Sequence, residues 1–301
     1  MPSFDASILK ASMPYVPRRW WSHLRAHLEQ WVQATSRPPG SAKIGVVLSG
    51  GGLRGAGHVG VLQQLAAHNI PIDIIVGSSA GAIVAAYYAA VGRELDELVA
   101  DARHFRARHL VAHALNVRLR RRYDRMLGCM SGIIPARLEQ LERATFDCLH
   151  HGVRGIGIVC HDVTTGRAQY FSTGRDRGAR LSDVVRASAS LPHLFPPTAV
   201  ECGDEDLLLT DGGISDCLPI AFARRPPLSA THVIVSDCRM LPVQPPATTD
   251  RLVYIRPRLS TTSTLRAPSS SLLAAVREGA AAINDEVLER IGKWVTQTQP
   301  A

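Results

Sequence analysis

Three short segments of this 301-residue chain put reactive or anion-holding groups where backbone geometry favours them. The first is Gly77-Ser78-Ser79-Ala80-Gly81, which follows the apolar run Ile72-Asp73-Ile74-Ile75-Val76 and precedes Ala82-Ile83-Val84-Ala85-Ala86. A strand, a cramped turn and a helix in that order hold the central serine on a strained elbow, and flanking glycines avoid a Cβ collision with the neighbouring strand or helix. Ser79 is the candidate nucleophile. A helix N-cap by Ser78 or Ser79 is the plainer reading of the same residues, so the assignment leans on the other two segments.

The second segment is upstream. Lys43-Ile44-Gly45-Val46-Val47-Leu48-Ser49 reads as a buried strand and runs into Gly50-Gly51-Gly52-Leu53-Arg54-Gly55. A helix follows, with Val59, Leu62, Leu65 and Ala66 on one face and Asn69 as its stop. Consecutive glycines let backbone N–H groups turn outward at a helix N-terminus, where the macrodipole favours negative charge. Two anions fit such a loop. Gly50-x-Gly52-x-x-Gly55 with Asp73 downstream matches a dinucleotide fingerprint, but a ribose-binding acid belongs at the carboxyl end of the second strand, and Asp73 stands near its beginning. The other anion is the oxygen of a tetrahedral acyl intermediate, which needs donors beside the attacking serine. Adjacent parallel strands would bring the Gly51 and Gly52 amides there. Arg54 either orients the loop, attracts an anionic head group or lies exposed.

The third segment, Asp206-Leu207-Leu208-Leu209-Thr210-Asp211-Gly212-Gly213-Ile214, is an apolar strand delivering a carboxylate into a glycine turn. Alone it is ordinary turn chemistry. Taken in order, the Gly-rich loop, Gly-x-Ser-x-Gly and Asp-Gly-Gly resemble the patatin-like phospholipase family. Two more blocks extend the likeness: Val159 to Phe171 with its Asp162-Val163-Thr164-Thr165-Gly166 turn, and Arg186-Ala187-Ser188-Ala189-Ser190-Leu191-Pro192-His193-Leu194-Phe195-Pro196-Pro197. The resemblance covers about Lys43 to Arg239.

The resemblance implies an α/β three-layer sandwich, a central, mainly parallel sheet flanked by helices. It implies a serine-aspartate dyad acting on acyl esters of phospholipids or lysophospholipids, with no cofactor. Ser79 would attack the ester carbonyl, and Asp211 would take its proton and later activate water. Gly50, Gly51, Gly52, Arg54 and Gly55 would form the oxyanion loop, with Gly77, Gly81, Gly212 and Gly213 as motif glycines. A lipid acyltransferase using the same dyad and a dormant membrane-binding scaffold are the alternative readings. A carboxylate of ordinary pKa near ~4 is a feeble base toward a serine hydroxyl. An enclosed apolar site would raise its basicity.

A Ser-Asp-His triad would need a histidine after the acid. His232 alone follows Asp211, and it opens the strand Thr231-His232-Val233-Ile234-Val235-Ser236 at the end away from catalysis in such a sheet. A structural role is expected for it, as for His58, His161 and His193.

Composition is that of a globular protein with 46% hydrophobic residues. No stretch of about eighteen apolar residues suggests a membrane span and no signal-peptide pattern opens the chain, so a cytoplasmic protein, peripheral on the membrane at most, is expected. The six cysteines, at 129, 148, 160, 202, 217 and 238, lack metal or redox spacing, so neither metal nor disulfide is expected. The net charge of +8 is almost wholly arginine. Part of it sits in an extension, residues 1–42, whose Trp20, Leu24, Leu28, Trp31 and Val32 fall on one helical face; with Trp21 and Arg18 nearby, this helix either lies in a membrane interface or packs on the domain. Another part is Arg118-Leu119-Arg120-Arg121-Arg122, suited to anionic head groups or to solvent; no nucleic-acid signature accompanies it. The expected organisation is the extension 1–42, a catalytic domain 43–258, and a Ser/Thr-rich linker with one C-terminal helix, 259–301, carrying the stripe Leu272, Val276, Ala280, Ile283, Val287 and Ile291.

Overall fold

Five consecutive residues without a charge, Ile44–Leu48, form the strand at the middle of the molecule, and all five are buried. This continuous burial is what a parallel strand covered on both faces requires. In the computed structural model this strand, β1, lies between β2 (Ile74–Ser78) and β7 (His232–Ser236), parallel to both. The structure describes residues 42–104, 134–192, 194–241, 244–260, 262 and 271–296, of which 134–136 are described by backbone alone. The segment with Trp20, Trp21 and Trp31 expected to be helical, the Arg118–Arg122 run, Cys129, His193 and most of the Ser/Thr-rich stretch fall outside them.

The sheet has the order β5-β6-β3-β2-β1-β7-β8, with β4 paired to β3 off this path. The remaining strands are β3 (Gly155–Asp162), β4 (Arg167–Ser172), β5 (Thr198–Cys202), β6 (Glu205–Asp211) and β8 (Leu252–Ile255). Pairs β1–β2, β1–β7, β2–β3 and β7–β8 are parallel; β3–β4, β3–β6 and β5–β6 are antiparallel. The expected mainly parallel α/β sheet is present.

Alternation along the strands separates two apolar layers, as the two-residue period of a strand demands. Ile44, Val46 and Leu48 of β1 and Ile234 of β7 enter the larger layer; Val47, Val233 and Val235 enter the smaller. The larger is covered by α1 (Gly57–Ala67), α2 (Ala80–Ala85), α3 (Leu95–His104), α4 (Ile134–Arg143) and α5 (Leu181–Ser188), and the smaller by α6 (Ile220–Arg224) with Leu228 and Ala230. Val59, Leu62 and Leu65 of α1 are buried as its pattern predicts, whereas Ala66 is exposed in the last turn.

The single C-terminal helix expected from the apolar stripe is two helices, α7 (Leu272–Ala281) and α8 (Asp285–Thr296). The stripe itself is kept: Val276, Ile283 and Ile291 are all buried. The break comes at Asn284, whose side-chain oxygen accepts the Val287 N–H at 2.9 Å and so caps a new helix. α7 also lies so close to α1 that a Cβ on Gly60 would fall 1.9 Å from the Val276 carbonyl oxygen.

Candidate active site

Strand β3 acts as the ruler of the site. Its residues 157–159 pair with β4 on one edge and β2 on the other, while 160–162 pair with β4 and β6. Because β4 holds one edge throughout, β2 and β6 must follow one another along the opposite edge. Ser78, the last residue of β2, stands opposite Val159, and Asp211, the last of β6, stands opposite Cys160. Two strands running toward each other thus meet end to end at the place where one supplies a serine and the other a carboxylate.

At that junction the Ser79 Oγ donates a 2.6 Å hydrogen bond to Asp211 Oδ2. Ser79 has φ 53° and ψ −121°, a strained conformation costing roughly 1–3 kcal/mol that the surrounding packing must hold in place. The packing is visible in the glycines. A Cβ on Gly77 would lie 2.4 Å from the Gly81 backbone, and one on Gly81 would lie 2.2 Å from the Leu48 carbonyl oxygen. On the acid side a Cβ at Gly212 would lie 2.1 Å from the Val159 carbonyl oxygen, which is why the turn after Asp211 needs glycine.

Asp211 is buried, and its only partners among the described residues are the Ser79 hydroxyl and the Gly213 N–H, which donates to Oδ1 at 2.7 Å. Burial pushes its carboxyl up to about 6, against the opposing pull of those two hydrogen bonds. Among the described residues no cation offsets the desolvation. The group is therefore more basic than an ordinary carboxylate, the direction that proton abstraction from a hydroxyl needs.

The loop after β1 completes the arrangement. A Cβ on Gly50 would lie 3.4 Å from Ser79 Cβ, so the loop runs alongside the serine. Its amides are not equivalent. The Gly50 N–H donates to the Cys217 carbonyl at 3.0 Å and the Arg54 N–H to the Gly51 carbonyl at 3.2 Å, so neither is free to hold an oxyanion. Gly51 and Gly52, where the backbone enters the one-turn helix Gly52–Ala56, donate to no group among the described residues. Gly55 has a packing role: a Cβ there would lie 2.5 Å from Ala80 Cβ, directly beside the elbow.

The profile of the patatin-like phospholipases matches residues 46–224, more than half of the chain. This protein belongs to that family. An uncharacterized NTE family protein of Mycobacterium tuberculosis is 32% identical over 208 residues, covering 66% of this chain and 32% of the relative. A lysophospholipase of Emericella nidulans is 31% identical over 198 residues, 60% of this chain and 11% of its own length. The chain thus spans about a third or less of these relatives. Among solved structures, VipD from Legionella pneumophila superposes with a TM-score of 0.50 at 13% identity, over 87% of this chain and 68% of that one, a likeness of fold.

Several residues that build the patatin-like site have no role assigned from sequence alone, although Ser188 and Ser190 lie within the Arg186 to Pro197 block of the resemblance. Ser188, at the end of α5, accepts the Ser79 N–H at 3.0 Å and donates its own proton to the Val159 carbonyl at 2.6 Å. Two residues on, the Ser190 carbonyl accepts the Asp211 N–H at 3.1 Å. One helix end therefore grips both halves of the Ser79–Asp211 pair.

A second group anchors the glycine loop. His58 is wholly buried; Nε2 lies 2.9 Å from the Ser49 carbonyl, which can only accept, so Nε2 carries the proton and Nδ1 accepts from Ser236 Oγ at 2.8 Å. Burial holds the ring neutral, its pKa lowered to about 4. The structural role expected for His58 is what the geometry displays. Arg54 belongs to the same anchoring: its guanidinium donates to the carbonyls of Cys238, Leu259 and Arg239. Those bonds orient the loop and commit the half-buried Arg54 to backbone carbonyls rather than to a head group.

The remaining candidates fall away from the pair. His232 pairs with Ile44 at the amino ends of the strands, four residues below the level where Ser236 meets Leu48, or about 13 Å. Asp73 accepts the Ile44 N–H on Oδ2 at 2.8 Å, a clip between β1 and β2 rather than a ribose contact. His161 bonds Ser215 through Nδ1 at 2.6 Å. The described cysteines are free thiols, and among the described residues no three His, Cys, Asp or Glu side chains converge as a metal site would require. No helix among the described residues is long and apolar enough to cross a membrane.

Proposed function

We propose that the protein hydrolyses acyl esters of phospholipids or lysophospholipids through an acyl-Ser79 intermediate, with Asp211 as the base. The observation that carries this reading is the 2.6 Å bond from the strained Ser79 hydroxyl to a carboxylate that burial has made more basic. Membership of the patatin-like phospholipases and relatives named as lysophospholipases support the substrate class.

The steps follow from the groups in place. Asp211 Oδ2 takes the Ser79 proton as Oγ attacks the ester carbonyl carbon. The Gly51 and Gly52 amides receive the negative oxygen of the tetrahedral intermediate, where loss of one donor typically costs on the order of a hundredfold in rate. Collapse breaks the bond to the alcohol portion of the lipid, which leaves with the proton from Asp211. Water then gives a proton to Asp211 and its oxygen to the acyl carbon, and collapse returns the Ser79 hydroxyl and free fatty acid. In this reading the catalytic unit is 43–258, with 1–42 and 259–301 as extensions.

The test is release of free fatty acid from phospholipids, lysophospholipids and p-nitrophenyl esters by wild type, Ser79→Ala, Asp211→Asn and His232→Ala. Activity lost in the first two variants and kept in the third is expected. Loss in His232→Ala with the fold intact would replace the dyad, and absence of turnover by the wild type on every ester would overturn the hydrolase.

A further inference from the structure

We propose that the amino end of the sheet, opposite the glycine loop, carries a second binding site for a multiply charged phosphate-bearing anion, built on Arg224, Arg251, Arg290 and Lys293. Two cavities of about 530 and 480 Å³ lie there, and both are walled by Asp250 and Arg251. The first adds Arg224, Thr231 and Thr249; the second adds His232, Arg290, Lys293 and Trp294. Four cationic side chains against the single carboxylate of Asp250 leave these walls with three positive charges in excess. Lys293 also bridges at 3.0 Å to Glu289, whose carboxylate lowers that excess to two.

The donors are largely unspent. The Arg251 side chain, at the seam of the two cavities, bonds to nothing among the described residues. Arg224 and Arg290 each commit one Nη2 to a long bond, at 3.3 Å to the Arg251 carbonyl and 3.4 Å to the Thr249 carbonyl. Arg54, Arg239 and Arg256 at the other end of the sheet, by contrast, are tied to carbonyls and to Asp237. Guanidinium groups that line a cavity with their donors unspent suit a tetrahedral anion with several acceptor oxygens.

Two further observations agree. The cavity floor is fixed: the His232 ring lies 5.0 Å from that of Trp294, whose Nε1 donates to the Asp250 carbonyl at 2.6 Å. The charges agree with this: Arg251 and Arg224 lie close enough to His232 to add to the effect of burial, which holds it below the ordinary imidazole range. A neutral His232 adds no charge at pH 7. The two cavities flank Arg251, so a ligand with two linked phosphate groups can place one on each side. Nothing in the argument depends on the acyl-ester reading.

The phosphate can come from a soluble metabolite or from a lipid head group, and two arms of one experiment separate them. Inorganic pyrophosphate is titrated calorimetrically into the full chain at constant ionic strength, and flotation is measured with vesicles of phosphatidic acid in phosphatidylcholine. The variants are Arg251→Glu, Arg290→Glu and, as a control elsewhere on the surface, Arg167→Glu, which is exposed at the start of β4. Pyrophosphate binding weakened at least tenfold in Arg251→Glu and Arg290→Glu, and unchanged in Arg167→Glu, supports the site with a soluble ligand. Vesicle binding lost in the same two variants supports it with a lipid head group. Equal behaviour of all four proteins in both arms overturns it, as does pyrophosphate binding no tighter than that of chloride together with vesicle binding that Arg251→Glu and Arg290→Glu leave unchanged. Arg251 has no side-chain partner to lose among the described residues, so its variant should fold, and an unchanged melting temperature checks that point.

Discussion

Two carboxylates stand at the ends of strands of one sheet, Asp211 closing β6 and Asp237 following β7, and burial has opposite outcomes for them. Both are buried. Asp211 rises to about 6, whereas Asp237 falls to about 2. Desolvation pushes each upward, so the difference lies in the company. Asp211 meets a hydroxyl and one amide. Asp237 accepts from Arg239 through Nε at 2.9 Å and Nη2 at 2.7 Å, from the Tyr254 hydroxyl at 2.6 Å and from Arg256 at 3.4 Å. Withholding cations leaves a base; supplying them makes a strut that ties β7 to β8.

The sharpest way to break this comparison is to remove the reacting groups. Ser79→Ala should lower kcat on the best ester by about a thousandfold or more, and Asp211→Asn by a similar factor, since effects within one catalytic unit do not add. The wild-type kcat/KM should rise through pH about 6 as Asp211 ionises. A rise centred near the ordinary carboxylate range of ~4 would refute the unshielded base.

Asp237→Asn should act on stability instead. Removing the charge leaves Arg239 and Arg256 uncompensated, and urea unfolding should show a loss of about 3–5 kcal/mol with the pH midpoint of kcat/KM unmoved. The pH dependence of stability has a definite sign. A carboxyl lowered from 3.8 to about 2 stabilises the fold above pH ~4, and that contribution disappears as pH falls through about 2. A shifted activity profile in this variant would mean that the two carboxylates are not separate devices.

Asp211 should behave in the reverse sense. Its pKa is raised on folding, so the ionised group opposes folding above pH about 6 and ceases to do so below pH ~4. Asp211→Asn should therefore stabilise the protein by on the order of 1–3 kcal/mol at pH 8 and much less at pH 4, measured by thermal unfolding. The smallest effect is expected at Ser188. Ser188→Ala removes the acceptor of the Ser79 N–H and should lower kcat about tenfold with KM nearly unchanged, while Ser188→Thr, which keeps the hydroxyl, should recover most of it.

How much of this was legible beforehand depends on how local the signal is. The elbow, the glycine loop and the Asp-Gly-Gly turn are each written in consecutive residues, because backbone clashes within a few positions dictate them. The direction of β1, β2 and β7 and the remote place of His232 also followed from apolar runs and from where each run begins. The strut around Asp237 was not legible: Arg239, Tyr254 and Arg256 come from two different segments, and an aspartate after a strand looks like any turn residue. Arg54 was ambiguous for the same reason, since its three acceptors belong to residues 184 or more positions away. Nor could periodicity divide α7 from α8, because the apolar stripe continues past the Asn284 cap that interrupts the backbone.

The end-to-end meeting of β2 and β6 along one edge of β3 also bears on how such a protein can diversify. The 132 positions separating Ser79 from Asp211 do not set the distance between them; the ladder of β3 does. Insertions or wholesale replacement of the intervening loops can therefore reshape what enters the site without retuning the reacting pair. A shift of β6 by a single position against β3 would instead turn Asp211 to the other face of the sheet. The Ser79–Asp211 spacing is indifferent to the length of the intervening loops and sensitive to strand register, so a library built on this chain should vary the first and leave the second untouched.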